Sequence, residues 1–491
     1  MLLSDMLQGV ELSAPPLDPS LARRDAAGIA ADSQEELRDR LFVCLKGRQA
    51  DGHSFAAQAE AAGAAAVLCQ QDVGCRRQIL TPDTRSAYAR ICANFYGNPA
   101  RELSLAAVTG TNGKTSVATT VRRLLTAAGV RAGLFSTIQW AFPLRDGSLR
   151  QGELPRTTPD PRDLHRLLRE MADEELQVAV MEASSQALDQ GRLIGLRFAV
   201  GAFTNLTQDH LDYHGTMEAY YHAKESLFDQ CASGVINLDD PYGARLAKRL
   251  SIPMLGCSTR DPRADLFAEE IRCGEEGVRF TLCHGGGRYP VSFGIPGIYS
   301  VQNALSAIGA CLKLGLSLER ILAELPELGP IRGRNEVIPT GLGFRVICDY
   351  AHTPDGLENL LRSTREYVKG RIILLFGCGG DRDRGKRPQM GEIASRYADF
   401  LVLTSDNPRT ENPGAIIGDI MKGVTARSCI AIVERREAIR YALSIARRGD
   451  TVILAGKGHE RYQVLGRKTL YFDERRLVEG ILRSMGGGAD S

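Results

Sequence analysis

The stretch GTNGKTS at residues 110–116 places two glycines, a lysine and three hydroxyl side chains within seven positions. Gly110 and Gly113 let the backbone approach phosphate oxygens, with Thr111 and Asn112 between them. Lys114 brings a point charge for β- and γ-phosphates, and the Thr115 hydroxyl, followed by Ser116, suits Mg²⁺. The loop is shorter than GxxxxGK[ST], because Val108 stands where the first glycine would be. A bare GKT also occurs in ordinary turns, so its flanks decide. A second group follows two apolar runs. LQVAVMEASS presents Glu182, and FAVGAFTNLTQDHLDYHG presents Asn205, Asp209, His210, Asp212 and His214. Glu182 and His210 could complete a Mg²⁺ site begun at Thr115, with histidine as a minority ligand for so hard a cation. Glu182 could equally be a helix N-terminal charge, and His210 a hydrogen-bonded structural residue. Lys224, in AYYHAKESLF, reads on composition alone as a solvated lysine on a helix.

The elements around these residues must position them. Leu103, Leu105 and Val108 suit a buried strand ahead of the glycines. Val117, Val121, Leu124, Leu125 and Ala128 have helical spacing after them, and Gly129 suits a C-terminal cap. Strand, glycine turn and helix in that order make the loop a nucleotide phosphate site. Upstream, LFVCLKG at 41–47 and AAAVLC at 64–69 read as strands around a small-residue helix at 54–63. From about 100 to about 333, alternation of apolar runs and helices predicts a parallel sheet with helices on both faces. GPIRGRNEVIP at 329–339 breaks the pattern. FRVICDY, RIILLFG, FLVLTSD and TVILAGKG then resume it, each ending in a polar or glycine-rich loop. In open parallel sheets ligands bind beyond the carboxyl ends of the strands. Four such loops can line one cleft, with Arg382, Arg409 and Lys457 as cations and Asp383, Asp406 and Glu460 as anions. The fold expected is α/β, with three domains: residues 1–98, a central phosphate-loop parallel sheet over 99–333, and a C-terminal Rossmann-like sheet over 334–491.

Composition bounds the rest. The chain has 491 residues, 43% of them hydrophobic, and a net charge of +2. That length allows roughly three domains, and the charge balance gives no footprint for nucleic acid. No apolar run approaches the roughly 20 residues of a membrane span, and the N-terminus shows no secretory pattern. The 12 cysteines form no CxxC pair. Cys44, Cys92, Cys311 and Cys348 lie in apolar runs, as reduced, buried thiols would. The tail GGGADS reads as disordered.

Four elements together, GTNGKTS, NLTQDHLDYHG, DYAHTPDG at 349–356 and DNPRTE at 406–411, resemble the Mur ligases nearly end to end. The resemblance implies a cytoplasmic, monomeric enzyme of peptidoglycan synthesis, hence of cell wall, cell shape and division. Its substrates would be ATP, UDP-N-acetylmuramoyl-L-alanyl-D-glutamate and meso-diaminopimelate, with no nucleic-acid partner and no membrane insertion. Ser33 and Arg48-Gln49-Ala50 would contact the uridine nucleotide. Thr157, Thr158, Ser184, Gln190 and Arg192 match positions around the muramoyl-dipeptide. Arg156 stands where the family has Asn, and GRNE where it more usually has GRME. Asn303, Arg334 and Asp349 match ATP contacts. Lys114, His210 and Lys224 would be the catalytic set, with Thr115, Glu182, His210 and Lys224 holding Mg²⁺. Lys224 aligns with the lysine that the family carries as a carbamate, an anion with two metal-binding oxygens where an ammonium would repel the metal. Arg382, Asp406, Asn407, Pro408, Arg409, Gly456 and Glu460 would form the amino-acid pocket. Diaminopimelate-adding members carry DNPR, and a guanidinium is the natural partner for the distal carboxylate that lysine lacks. A lysine-adding member and a folylpolyglutamate synthase are the alternative enzymes. Asn407-Pro408 as a plain turn, with Arg409 a surface charge, is the structural alternative.

Overall fold

The computed structural model describes residues 1–13, 17–47, 50–426 and 428–486. The chain divides into two compact units interleaved in sequence. The first comprises residues 1–109, 129–201 and 223–233, and the second 110–128, 202–222 and 234–491.

The first unit opens with a four-stranded sheet built from Gly28–Ala30, Arg40–Val43, Ala66–Cys69 and Gln78–Leu80, in that order and all parallel. Leu41, Val43, Ala66 and Leu68 face one apolar layer, which Ile91 and Tyr88 of the Thr84–Phe95 helix complete. Phe42, Cys44 and Val67 face the other. This two-sided burial is why these strands read as continuous apolar runs. The Tyr88 hydroxyl donates to Asp160, the N-cap of helix Pro161–Asp173. Arg162, on the same helix, donates to the Ile29 carbonyl and pairs with Glu35. A cross-brace thus runs from the small sheet to the strands that follow. There Ala132–Phe135, Val178–Glu182 and Ser104–Thr109 pair in parallel, and Trp140–Pro143 and Leu149–Gly152 add antiparallel.

In the second unit Gly234–Asn237, Met254–Ser258 and Leu266–Gly274 are parallel neighbours. The chain then turns back twice, so Gly277–His284 and Gly287–Phe293 form an antiparallel meander. This differs from the uniformly parallel sheet expected over 99–333. The turns sit at GEEG and HGGG, where glycines permit tight reversals, and the strands they join alternate buried and exposed residues. The last sheet runs Glu336–Ile338, Arg345–Asp349, Thr451–Ala455, Ile372–Phe376, Phe400–Leu403 and Cys429–Ala431. Only the first of these is antiparallel to its neighbour. Its strand at 336–338 falls inside the segment that seemed from sequence to interrupt the pattern. Helices cover both faces of this sheet.

Arg435 and Glu474 are both fully buried and pair at 2.6 Å beside this sheet. Arg435 also donates to the carbonyls of Ser405 and Ala455, at the ends of two strands that carry loops of interest. Glu474→Gln leaves a buried guanidinium without its counter-charge, so it should cost about 3–5 kcal/mol of stability. Chemical denaturation of the variant measures this.

Candidate active site

The strand ending at Thr109 passes through Gly110–Gly113 into helix Lys114–Ala127. Gly110 has φ +146°, and a Cβ there would lie 1.9 Å from Thr204 Oγ1, so the turn excludes any side chain. Asn205 clamps the loop: its carbonyl accepts from Thr111 N–H, and its side-chain oxygen from Asn112 N–H. The Thr204 hydroxyl donates to the Asn112 carbonyl, and Thr111 Oγ1 lies 3.2 Å from the Tyr220 hydroxyl. The helix N-terminus has no side-chain cap and no acidic residue in its first turn. That leaves its dipole and first-turn amides suited to an anion. Lys114 Nζ donates to the carbonyls of Gly110 and Thr111, 2.8 Å each, folded over the loop whose phosphate it would meet. The residue types and this cradle therefore fit a nucleotide phosphate with Mg²⁺ on oxygen donors.

Three other second-unit segments reach this helix. Arg334 donates to Thr115 Oγ1 at 2.8 Å, lies over the Tyr350 ring, and keeps a buried Nε without a partner. Asn303, buried, stands beside Gly113, its Oδ1 only 2.4 Å from where a Cβ would be. Asn112 donates through its amide to Asp355 at 2.8 Å. Asp349 is raised from the ordinary carboxylate range by burial, and accepts from Asn335 and Ala351 N–H. Asn335 explains the GRNE variant locally, because its amide donates to the Pro296 carbonyl and the Tyr299 hydroxyl.

His210 sits at φ +53° ahead of a short helix. Its backbone N–H donates to buried Asp209, which also lies 3.8 Å from His352 Nε2 and 4.0 Å from Lys386 Nζ. Burial alone would raise Asp209, but His210, Lys386 and His352 hold it well below the usual range. Burial, and then Lys386, push His352 down to about 4. It is thus a neutral imidazole at pH 7, and Lys386 donates to its carbonyl.

In the first unit Glu182 ends its strand. It accepts from the Thr137 N–H at 2.7 Å and the Thr137 hydroxyl at 2.9 Å, so it is not a helix N-terminal charge. Thr137 Oγ1 also lies 3.1 Å from the Thr157 hydroxyl, from which it can accept. Thr158 donates through its hydroxyl to the Glu182 carbonyl and accepts from the Ser184 N–H, and its own carbonyl accepts from Arg192, which also bonds Gln190. Glu182, Thr157, Thr158, Ser184, Gln190 and Arg192 are thus one hydrogen-bonded network. Ser33 occupies a half-buried turn and Ala50 an exposed position, while Arg48 and Gln49 lie outside the described residues. Lys224 is 1% exposed at the end of helix Met217–Glu225, which overturns its reading as a solvated lysine. Its neighbours Tyr220 and Tyr221 are equally buried, so the apolar side of AYYHAKESLF carries the lysine inward.

The C-terminal loops converge. Lys457, fully buried, donates to Asn407 and to Glu460 and lies 3.7 Å from Asp406. Burial would raise Asp406, but Lys457 and Arg435 override it, whereas burial and Asp406 together raise Glu460. Gly456 N–H donates to the Asp349 carbonyl. Arg409, at φ +52°, donates through Nη1 to the Gly380 carbonyl at 2.8 Å. It is therefore half-buried and bonded rather than a loose surface charge. Arg382 is exposed, bonded to the Asp381 carbonyl. Sequence reasoning missed Thr137, Asp355, Lys386 and Asn335, whose partners are remote in the chain. A cleft of about 940 Å³ in the first unit, lined by Val10, Arg90, His165 and Leu196 among others, contains none of the residues singled out for chemistry.

A phosphate loop, an α/β sheet beyond it and a charged loop cluster at the carboxyl ends of a second sheet are the parts an ATP-dependent ligase requires. Family models for the Mur ligase family catalytic domain, the Mur ligase middle domain and the Mur ligase glutamate ligase domain match residues 26–96, 108–311 and 333–458. The chain belongs to the Mur ligase family. It is 42% identical over 460 residues to UDP-N-acetylmuramoyl-L-alanyl-D-glutamate–2,6-diaminopimelate ligase 1 of Clostridium acetobutylicum, covering 92% of this chain and 94% of that one. It is 41% identical over 492 residues to the diaminopimelate ligase of Caldanaerobacter subterraneus, covering 98% and 99%. A solved UDP-N-acetylmuramoyl-L-alanyl-D-glutamate–2,6-diaminopimelate ligase superposes with TM-score 0.69 at 32% identity, over 99% of this chain and all of that one.

Proposed function

We propose that this ligase joins meso-diaminopimelate to UDP-N-acetylmuramoyl-L-alanyl-D-glutamate in the cytoplasmic assembly of peptidoglycan precursors. The free side-chain carboxylate of the D-Glu attacks the γ-phosphorus of ATP and ADP leaves. An amine of diaminopimelate then attacks the acyl carbon of the acyl phosphate, loses a proton, and inorganic phosphate departs. Lys114 and the loop amides stabilise charge on the transferring phosphoryl group. Asn303, Arg334 and Asp349 would hold ATP. Ser33, the 48–50 segment and the Thr157–Arg192 network would hold the UDP-dipeptide. Mg²⁺, on Thr115, Glu182, His210 and a Lys224 carbamate, would supply Lewis-acid charge at the phosphates. Burial disfavours the Lys224 ammonium and favours the neutral amine, the form that adds to CO₂. Three domains, 1–98, 99–333 and 334–491, remain part of this reading, and the family-model spans 26–96, 108–311 and 333–458 support it. Among the described residues, no helix is long and apolar enough to cross a membrane, and the twelve cysteines are free thiols, in keeping with a reducing compartment.

The observation that carries the amino-acid assignment is Arg409, anchored by Nη1 in a complete DNPRTE loop beside Asp406, Asn407 and Glu460. A folylpolyglutamate synthase would not need the four-stranded N-terminal sheet, and a lysine-adding ligase would not need Arg409. Phosphate release should require both the UDP-dipeptide and an amino acid, and an amino-acid panel should rank diaminopimelate first. Arg409→Ala removes one partner of a desolvated pair, a loss of about 2–5 kcal/mol. Catalytic efficiency with diaminopimelate should therefore fall roughly two to three orders of magnitude. Lysine should change far less, and ATP affinity not at all. An equal drop for both substrates would show that Arg409 does not read the distal carboxylate.

A further inference from the structure

Arg387 is the second residue of helix Lys386–Tyr397, and its side chain is 1% exposed. Its Nη2 donates to Glu411 at 2.8 Å, and its Nη1 to Glu411 at 3.1 Å and to Asp419 at 3.0 Å. Glu411 is the last residue of DNPRTE, and its carboxylate does two jobs. While paired with Arg387, it accepts the backbone N–H of Asp381 at 2.7 Å. That hydrogen bond to Arg387, ahead of the smaller cost of desolvation, keeps it below the ordinary carboxylate range. Asp381 in turn accepts from the Thr410 hydroxyl at 2.8 Å and the Thr410 N–H at 3.2 Å. The loop 378–383 and the loop 406–411 are therefore laced together at Glu411, Asp381 and Thr410.

Arg409 lies inside that lacing. Its Nη1 ends on the Gly380 carbonyl, one residue from Asp381, and Gly380 N–H donates to the Asn407 carbonyl. The two loops press so closely that a Cβ on Gly380 would lie 1.9 Å from the Pro408 carbonyl oxygen. Asp381 and Arg409 both adopt left-handed backbone conformations, at φ +53° and +52°. For residues with a side chain such conformations persist only where the surroundings over-determine them.

We infer that the buried Arg387–Glu411 pair is a specificity-determining positioning element. It locks the 378–383 loop to the DNPRTE loop and so fixes where the Arg409 guanidinium points. Neither residue need touch the amino acid. Misplacement of a recognition group by about 1 Å suffices to cost around a hundredfold. The inference rests on the assignment of Arg409 to the distal carboxylate of diaminopimelate.

The test compares Glu411→Gln with Asp419→Asn in the full-length enzyme. Both replace a carboxylate facing Arg387 by an amide, whose NH₂ cannot accept from the guanidinium, but only at Glu411 must the one remaining acceptor oxygen serve both Arg387 and the Asp381 N–H. Glu411→Gln should narrow the ratio of diaminopimelate to lysine efficiency by roughly tenfold to a hundredfold, with KM for ATP and for the UDP-dipeptide unchanged. Asp419→Asn should leave the ratio at the wild-type value, and thermal melting of both variants reports any general loss of structure. The proposal falls if Glu411→Gln leaves the ratio unaltered while Arg409→Ala narrows it. It also falls if Asp419→Asn narrows the ratio as much as Glu411→Gln does. If Arg409→Ala lowers both amino acids equally, the assignment of Arg409 itself is wrong and the inference goes with it.

Discussion

Lys114→Ala should lose roughly two to three orders of magnitude in kcat while remaining folded. The side chain donates to backbone carbonyls of its own loop, Gly110 and Thr111. Losing a hydrogen bond of that kind at a half-buried position costs about 1 kcal/mol. The same ammonium is assigned to charge that grows as the γ-phosphoryl transfers, where removal of one preorganised donor costs about 3–4 kcal/mol. The effect should fall on turnover more than on the KM for ATP, because the interaction strengthens in the transition state. Steady-state kinetics together with thermal melting check both halves. A folded variant with near-normal turnover would remove the phosphate-loop assignment.

Lys224→Ala should abolish ligation, a loss of roughly a thousandfold or more. A metal-binding anion at this position is worth several kcal/mol of charge stabilisation. Lys224→Arg keeps a cation and cannot capture CO₂, so it should be equally inactive. Formate or acetate should partly restore Lys224→Ala by offering carboxylate oxygens in the space vacated. A readout independent of turnover is available as well. In ¹³C-bicarbonate, wild type should show a protein-bound carbamate carbon by NMR that Lys224→Ala lacks. An active Lys224→Arg enzyme would mean that the site needs the positive charge.

The parts legible in the sequence are those whose signal is local. Leu105 and Val108 before the glycines, and Val117, Val121 and Leu124 after them, announce strand, turn and helix because each period is complete within one element. The carboxyl-end rule likewise located Asp406, Arg409 and Glu460, since it needs only the order of strands and loops. Pairing across the chain is invisible at that level. Asn112 meets Asp355 across 243 positions. Thr137 meets Glu182 across 45. Neither residue type at that spacing is distinctive. The meander over 266–293 was missed because its strands alternate where a parallel core would not, and its glycine turns resemble those ahead of a helix. Composition alone put Lys224 on the surface for a different reason. Residue type sets a prior for exposure, and the helix face that actually carries it inward is defined by Tyr220 and Tyr221.

The bonds from Asn112 to Asp355 and from Thr115 to Arg334 have a thermodynamic corollary. They tie the phosphate loop and its helix to segments on either side of the Arg345–Asp349 strand, whose sheet bears the proposed amino-acid loops. Any ligand that displaces Arg334 from Thr115, or Asn112 from Asp355, changes the free energy of that sheet's leading edge. By linkage the reverse holds to the same extent: occupancy of the amino-acid loops must shift nucleotide affinity by the factor that nucleotide shifts theirs. Coupling between the two proposed ligand sites would then need no separate gate, since two hydrogen bonds would make each ligand a term in the other's binding constant.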